Sequence, residues 1–242
     1  MGMKFAEHAK KLGVTFVTEN VISMEIQRNV KSVKTDKNTY ETKTIIIATG
    51  AVHKKAGIPG ETEFTGKGVS YCATCDGAFF KNKVTAVVGG GDVAVEDALY
   101  LSRMCGKVYL IHRRDEFRAA KSLVKKARET DNIEFVLDSV VEKIDGENKV
   151  RSINIRSKKG ATIKTLEVDG VFFAVGMQPV TAFVDKNIEM NEAGYIIAGE
   201  DCATNIPGVY AAGDIRTKQL RQIITAAADG ANAVTSVEKY IG

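Results

Sequence analysis

Two apolar runs in this chain end almost alike: Thr44-Ile45-Ile46-Ile47-Ala48-Thr49-Gly50 and Val171-Phe172-Phe173-Ala174-Val175-Gly176. Each is short, continuous and finished by small residues, the pattern of a buried strand whose end meets a ligand or another backbone. Linker signals stand at Ile58-Pro59-Gly60 and Met177-Gln178-Pro179. Between those linkers the pattern is a self-contained α/β block. Strand 84–88 is followed by helix 93–104, strand 108–111 and a helix over 117–129, then β-rich segments at 133–140 and 150–156. The two matching strand ends therefore flank an insertion. The chain reads as one domain split in sequence, residues 1–55 with 177–242, and a second domain inserted at 56–176.

Outside the block, Phe5, Ala9 and Leu12 recur at helical spacing and Gly13 stands as the residue after a helix. Val14–Val17 reads as a short strand, and Asp36-Lys37-Asn38 as the turn of a hairpin. Composition narrows the class further. Of 242 residues 44% are hydrophobic, enough for two modest cores, and 22 glycines with only 3 prolines suit tight strand–helix turns. A net charge of +4 with interleaved signs gives no basic stripe for nucleic acid. No apolar run approaches the roughly 18 residues that cross a bilayer, and no leader pattern opens the chain. Four cysteines, two of them two residues apart, fit a reducing compartment with a redox motif, so the cytoplasm is expected.

Gly89-Gly90-Gly91-Asp92-Val93-Ala94 fits GxGxxA at the junction of a strand and a helix. Glycines there permit a tight turn and close backbone approach, and a helix N-terminus favours a pyrophosphate; the competing reading is a purely structural turn. The next strand ends in His112-Arg113-Arg114, with Arg118 further on. Cations at that point suit the 2′-phosphate of NADPH, where an NAD site places a carboxylate. A solvated basic loop is the plain alternative. Cys72-Ala73-Thr74-Cys75-Asp76 offers a reactive disulfide with a carboxylate placed to exchange protons. A metal site or two inert thiols are the alternatives, and the former lacks a second ligand pair. Cys105 and Cys202 are expected to be buried apolar thiols. In the last segment Gly208–Asp214 reads as a strand ending in small residues and one acid. Arg221-Gln222-Ile223 then opens a helix rich in alanine, which packs on either core or cofactor. A dithiol and a hydride-carrier site in one chain point to a disulfide reductase.

Together the Cys-Ala-Thr-Cys-Asp, Gly-Gly-Gly-Asp, His-Arg-Arg-Asp-x-x-Arg, Ala-Gly-Asp (212–214) and Arg-Gln-Ile (221–223) segments, in this order, resemble the low-molecular-weight, bacterial-type thioredoxin reductases. These are flavin disulfide reductases, and the resemblance covers the whole chain. It implies an α/β fold of two Rossmann-like domains, an NADPH domain (56–176, carrying the dithiol) inserted into an FAD domain (1–55 and 177–242). NADPH would lie on Gly89, Gly90, Gly91, Asp92, Val93 and Ala94 with His112, Arg113, Arg114 and Arg118. FAD would contact Thr49, Gly50, Gly213 and Asp214, with Gln222 and Ile223, next to Arg221, at its ring. Cys75 would face the flavin, Cys72 attack the disulfide of thioredoxin, and Asp76 act as acid and base. The family also implies a homodimer and a rotation of one domain against the other, with hinges near Pro59 and Pro179. Two departures stand out. Members begin with a GxGxxG strand–helix unit that has no counterpart before residue 3, so the FAD site is expected to be incomplete and FAD weakly held. Val93 also replaces a hydroxyl residue that could help the phosphate. An inactive or NADPH-binding-only fragment, or a sibling reductase served by ferredoxin or serving a peroxidase, are the alternatives.

Overall fold

A computed structural model describes residues 2–26, 30–158, 160 and 163–242. The chain forms two compact units, Met1–Val52 with Gln178–Gly242, and His53–Met177.

The second unit is built on five parallel strands in the spatial order Val69–Ser70, Gly170–Ala174, Val84–Gly89, Lys107–Ile111 and Ile133–Val136. Parallel strands need both faces covered, and the alternation of the central strand shows how. Val87 points into a cluster with Leu99, Leu101, Leu110 and Phe172 on the helix side. Its neighbour Ala86 joins Ile153, Ile155, Val171 and Phe173 on the other. Helix Asp92–Ser102 links Val84–Gly89 to Lys107–Ile111, and helix Lys121–Arg128 links that strand to Ile133–Val136. An antiparallel sheet of Ser139–Gly146, Val150–Ser157 and Ile163–Glu167 supplies the second cluster. Trimming a side chain such as the fully buried Phe172 should cost about 3–5 kcal/mol.

In the first unit, helix Gly2–Lys11 precedes an antiparallel sheet of Val21–Ile26, Lys31–Thr35 and Thr39–Thr42. Ile45–Ile47 pairs in parallel with Val209–Ala211, and helix Ile223–Ile241 ends the chain. Ile47, Ile196, Val209 and Ile215 form its main cluster.

Four expectations change. Val14–Val17 is not a strand: among the described residues nothing pairs with it, and its valines and Phe16 are about half exposed. Apolar alternation was present, but a ladder needs a neighbour. The Ile45–Ile47 run is only partly buried, with Ile46 exposed. The helix expected over 117–129 begins at Lys121. Gly90 O accepts Arg118 N–H (2.8 Å) and the Asp92 carboxylate accepts Ala120 N–H (2.7 Å), so residues before it stay in a loop. Ile58-Pro59-Gly60 is packed rather than loose. Pro59 O accepts Ile144 N–H, and a Cβ on Gly60 would lie 2.3 Å from Ile144 O.

Candidate functional site

The dithiol segment leaves strand Val69–Ser70 and enters the single turn Ala73–Asp76. Cys72 caps that turn: its sulfur accepts Cys75 N–H at 3.2 Å, and its carbonyl accepts Asp76 N–H. Ala73 is buried, and Gly77 seats the turn on helix Asp92–Ser102, where a Cβ would stand 3.0 Å from Leu101 Cδ2 and 3.2 Å from Tyr100 Cε1. Cys72 and Cys75 are joined as a disulfide, with Cys75 exposed and Cys72 half-buried. The buried Ser70 donates to Asp76 Oδ2 at 2.7 Å, and its oxygen accepts Cys72 N–H at 3.1 Å. Ser70 thus ties the carboxylate to the cysteine. Nothing in the sequence singled it out, because a serine on a strand carries no motif.

Beside the dithiol, Tyr71 donates to the buried Glu61 (2.8 Å), which also accepts the N–H groups of Ala56, Gly57 and Ile58. Burial pushes Tyr71 up, with help from Glu61, to about 12. Burial raises Glu61 as well, but the donors from Tyr71 and the loop outweigh it and hold its carboxyl below the usual range. On helix Asp92–Ser102, burial first and Glu96 second push the Asp97 carboxyl up to about 6.

At the glycine turn the first two residues have a steric reason to lack a side chain. A Cβ on Gly89 would be 2.6 Å from Ala174 O and 2.7 Å from Ala94 Cβ; one on Gly90 would be 2.0 Å from His112 Cε1. Beyond Gly91 there is open space, at the N-terminus of helix Asp92–Ser102. The first two glycines pack the turn, and the space beside the third lies at a helix N-terminus, where an anion is favoured. Ala94 is buried and Val93 exposed. His112 lies under the turn, buried, stacked on Phe117 with ring centres 5.1 Å apart, and its Nε2 has no hydrogen-bond partner. Burial lowers its pKa and the nearby arginines add to this, outweighing a backbone bond at Glu116, so the charged imidazolium is disfavoured. Arg113, Arg114 and Arg118 are exposed, and among the described residues none pairs with a carboxylate. The bond from Arg118 N–H to Gly90 O holds their loop against the turn.

The first unit carries a cavity of about 410 Å³ at the carboxyl ends of its two parallel strands. Ile46, Ala48, Thr49, Gly50 and Ala51 come from one strand end, Ala212, Gly213 and Asp214 from the other, and Ala226, Gly230 and Val234 from one stripe of the last helix. Of the expected cofactor residues, Thr49, Gly50, Gly213 and Asp214 meet here, whereas Arg221, Gln222 and Ile223 do not line the cavity. Arg221 lies over the Tyr195 ring at 4.1 Å, Gln222 caps the helix, and Ile223 is exposed. On the alanine-rich helix Ala226 lines the cavity and Ala233 packs in the core. Thr49 Oγ1 donates to Val180 O, which fixes that rim. Asp214 Oδ1 is buried with no hydrogen-bond partner. An orphaned carboxylate oxygen on a small-walled cavity at strand ends fits a ligand that donates hydrogen bonds, as the hydroxyl-bearing ribityl chain of FAD does.

Behind this wall stands a cluster the sequence did not reveal. Asp229, Arg216 and Lys218 form a nearly buried ion network. Burial raises the Asp229 carboxyl, but Arg216, Lys218 and Gly213 N–H outweigh it and hold it at about 2. Cys105 and Cys202 are buried free thiols, both pushed up by burial. Among the described residues no group of three or more His, Cys, Asp or Glu side chains is gathered as for a metal ion, and no helix is long and apolar enough to cross a membrane.

Comparison with known proteins places these features in a common frame. The model of the pyridine nucleotide-disulphide oxidoreductases matches residues 2–230. The chain is 42% identical over 244 residues to a thioredoxin reductase of Peptoclostridium litorale, covering 98% of this chain and 78% of that protein. It is 44% identical over 240 residues to one of Listeria innocua (98% and 75%). Among solved structures, thioredoxin reductase from Streptococcus pyogenes superposes with a TM-score of 0.93 at 44% identity, over 99% of this chain and 78% of that one. The enzyme from Giardia duodenalis does so with a TM-score of 0.91 at 36% identity, over 99% and 79%.

Proposed function

The chain belongs to the thioredoxin reductases of the pyridine nucleotide-disulphide oxidoreductase family, and on that footing we propose that it passes two electrons from NADPH to the disulfide of thioredoxin. The observation that carries this reading is the Cys72–Cys75 disulfide on an accessible turn of the unit that also holds the glycine turn. The balance is NADPH, one proton and oxidised thioredoxin giving NADP⁺ and the thioredoxin dithiol. FAD, when bound, supplies the two-electron carrier between nicotinamide and dithiol.

His53–Met177 is the NADPH domain in this reading, and Met1–Val52 with Gln178–Gly242 the FAD domain. Gly91 leaves the space for the pyrophosphate at the Asp92 helix start, and Arg113, Arg114 and Arg118 meet the 2′-phosphate, a task for which the planar guanidinium fork is suited. His112 supports Gly90 from below. On the other domain Asp214, Thr49, Gly50 and Gly213 would hold the ribityl part of FAD, and Arg221, Gln222 and Ile223 would serve its ring end.

Reduced Cys72 is the attacking thiolate, because Cys75 N–H already points at its sulfur. It forms a mixed disulfide with one thioredoxin sulfur and expels the other as thiolate. Cys75 then attacks Cys72, releasing reduced thioredoxin and restoring the 72–75 disulfide. Asp76, held by Ser70, moves the protons. A homodimer working in the cytoplasm completes the reading.

The decisive measurement is the visible spectrum of the purified chain supplied with FAD, titrated with NADPH and then with oxidised thioredoxin. Flavin bands should bleach with NADPH and return with thioredoxin. Cys72→Ser should still bleach but never return, and Arg113→Ala with Arg114→Ala should erode the preference for NADPH over NADH by roughly tenfold or more. Turnover in the Cys72→Ser chain would sink the dithiol assignment; unchanged preference would sink the arginine one.

A further inference from the structure

We propose that Asp229 is a positioning residue for the flavin: its carboxylate sets the Gly213–Arg216 turn so that Asp214 meets the ligand. This rests on the flavin reading of the cavity. Asp229 is 5% exposed and sits on the last helix between Ala226 and Gly230, both of which line the cavity. Its oxygens take four N–H groups from the turn and the residues just after it. Oδ2 accepts from Gly213 N (2.8 Å), Arg216 Nε (2.8 Å) and Lys218 Nζ (2.8 Å), and Oδ1 accepts from Arg216 Nη2 (2.6 Å).

Arg216 is committed further, donating from Nη1 to Ala198 O (3.2 Å) and Thr217 O (3.0 Å). The guanidinium thus stitches the turn to the body of the unit as well as to the helix. Gly213, at φ 81°, is where the chain makes a bend that a side chain would strain, and its absent Cβ would sit 3.4 Å from Ala226 Cβ. The turn is therefore pressed on the helix at one point and hydrogen-bonded to it at the next. Asp214 follows immediately, with an orphaned oxygen that its own neighbours leave unbound. Two carboxylates divide the labour: Asp229 takes Arg216, Lys218 and the Gly213 N–H, while Asp214 lines the cavity. Without Asp229 the Gly213 N–H, Arg216 and Lys218 lose their shared acceptor, and the turn that carries Asp214 to the cavity loses its tie to the helix.

The test compares the parent chain with Asp229→Asn, which keeps the shape and loses the charge, and Asp229→Glu, which keeps the charge. Three quantities are read: FAD affinity by flavin fluorescence, NADPH affinity, and hydrogen exchange at the Gly213 amide without flavin. Loss of charged hydrogen bonds predicts FAD binding weakened about 10–100-fold in Asp229→Asn, exchange at Gly213 faster by about tenfold or more, NADPH affinity unchanged, and partial rescue in Asp229→Glu. If Asp229→Asn does not fold, Lys218→Met removes one donor from the rim of the cluster and is read the same way with smaller shifts. FAD affinity equal to the parent's overturns the proposal, as does weakened affinity with Gly213 exchange unmoved. A parent chain that binds no FAD sinks it together with the flavin reading of the cavity, which the parent titration alone reveals.

Discussion

Asp97 and Asp229 are helix-borne carboxylates withdrawn from water, one in each unit, and they titrate in opposite directions. Asp97 is pushed up to about 6, with burial as the main cause and Glu96 as a like-charged neighbour, and among the described residues no donor reaches it. Asp229 is the more deeply buried, yet it is held at about 2 because Arg216, Lys218 and Gly213 N–H surround it. Depth alone therefore does not decide the sign; the count of donors does. In the first unit a buried charge knits a turn to a helix. In the second the glycine turn is held by steric fit, Gly89 on Ala174 and Gly90 on His112, with a backbone bond from Arg118, and the raised carboxylate further along its helix is a burden.

The strongest way to break the comparison is to delete Asp229. Asp229→Ala leaves Arg216 and Lys218 buried without their partner and should destabilise the first unit by about 3–5 kcal/mol. Exchange protection of the Val209–Ala211 amides should collapse while that of Val84–Gly89 stays, since the two strands belong to different units. Equal loss in both would show that the cluster is not local.

Acid gives the next largest effect. A carboxyl lowered to about 2 stabilises the folded state fully above its unfolded pKa near 4 and loses that contribution as pH falls towards 2. The first unit should lose about 2 kcal/mol over that interval, and Asp229→Asn should flatten the dependence. A pH profile unaltered by the substitution would contradict the network.

Asp97 sharpens the contrast from the other side. Below pH 4 it is protonated folded or unfolded and costs nothing; the penalty grows between 4 and 6 and is complete above 6. Asp97→Asn should accordingly stabilise the second unit by about 1–2 kcal/mol at pH 7.5, a figure reduced for partial solvent screening, and leave it unchanged at pH 4. Destabilisation at pH 7.5 would mean that the carboxylate has a partner it needs.

The same contrast explains what the sequence disclosed. The glycine turn was readable because the residues it packs on are close in the chain or lie at strand ends with their own signature, as Ala94 and Ala174 do. The paired strand ends, at Gly50 and Gly176, lie beside the boundaries of the two compact units. His112 was taken with the arginines because adjacency in sequence says nothing of which way a side chain faces; one residue beyond the strand His112 is still buried, and the chain emerges into water at Arg113. Arg118 falls in the stretch expected to be helical from 117, but the Gly90 and Asp92 acceptors hold that stretch as a loop. Asp229 escaped notice among alanines, since its partners lie 11 and 13 residues earlier and a charge in a small-residue helix reads as solvent-facing. Ser70 and Glu61 were missed for the same reason: their worth lies in partners brought by the fold.

The two thiols outside the dithiol have a practical meaning. Cys105 and Cys202 are buried and resist ionisation, while Cys72 and Cys75 share an accessible turn. A maleimide applied to the folded chain should add nothing when the pair is oxidised, two labels once it is reduced, and all four only after unfolding. The mass of the labelled protein thereby becomes a ledger of its own electron count, read without any colour or cofactor.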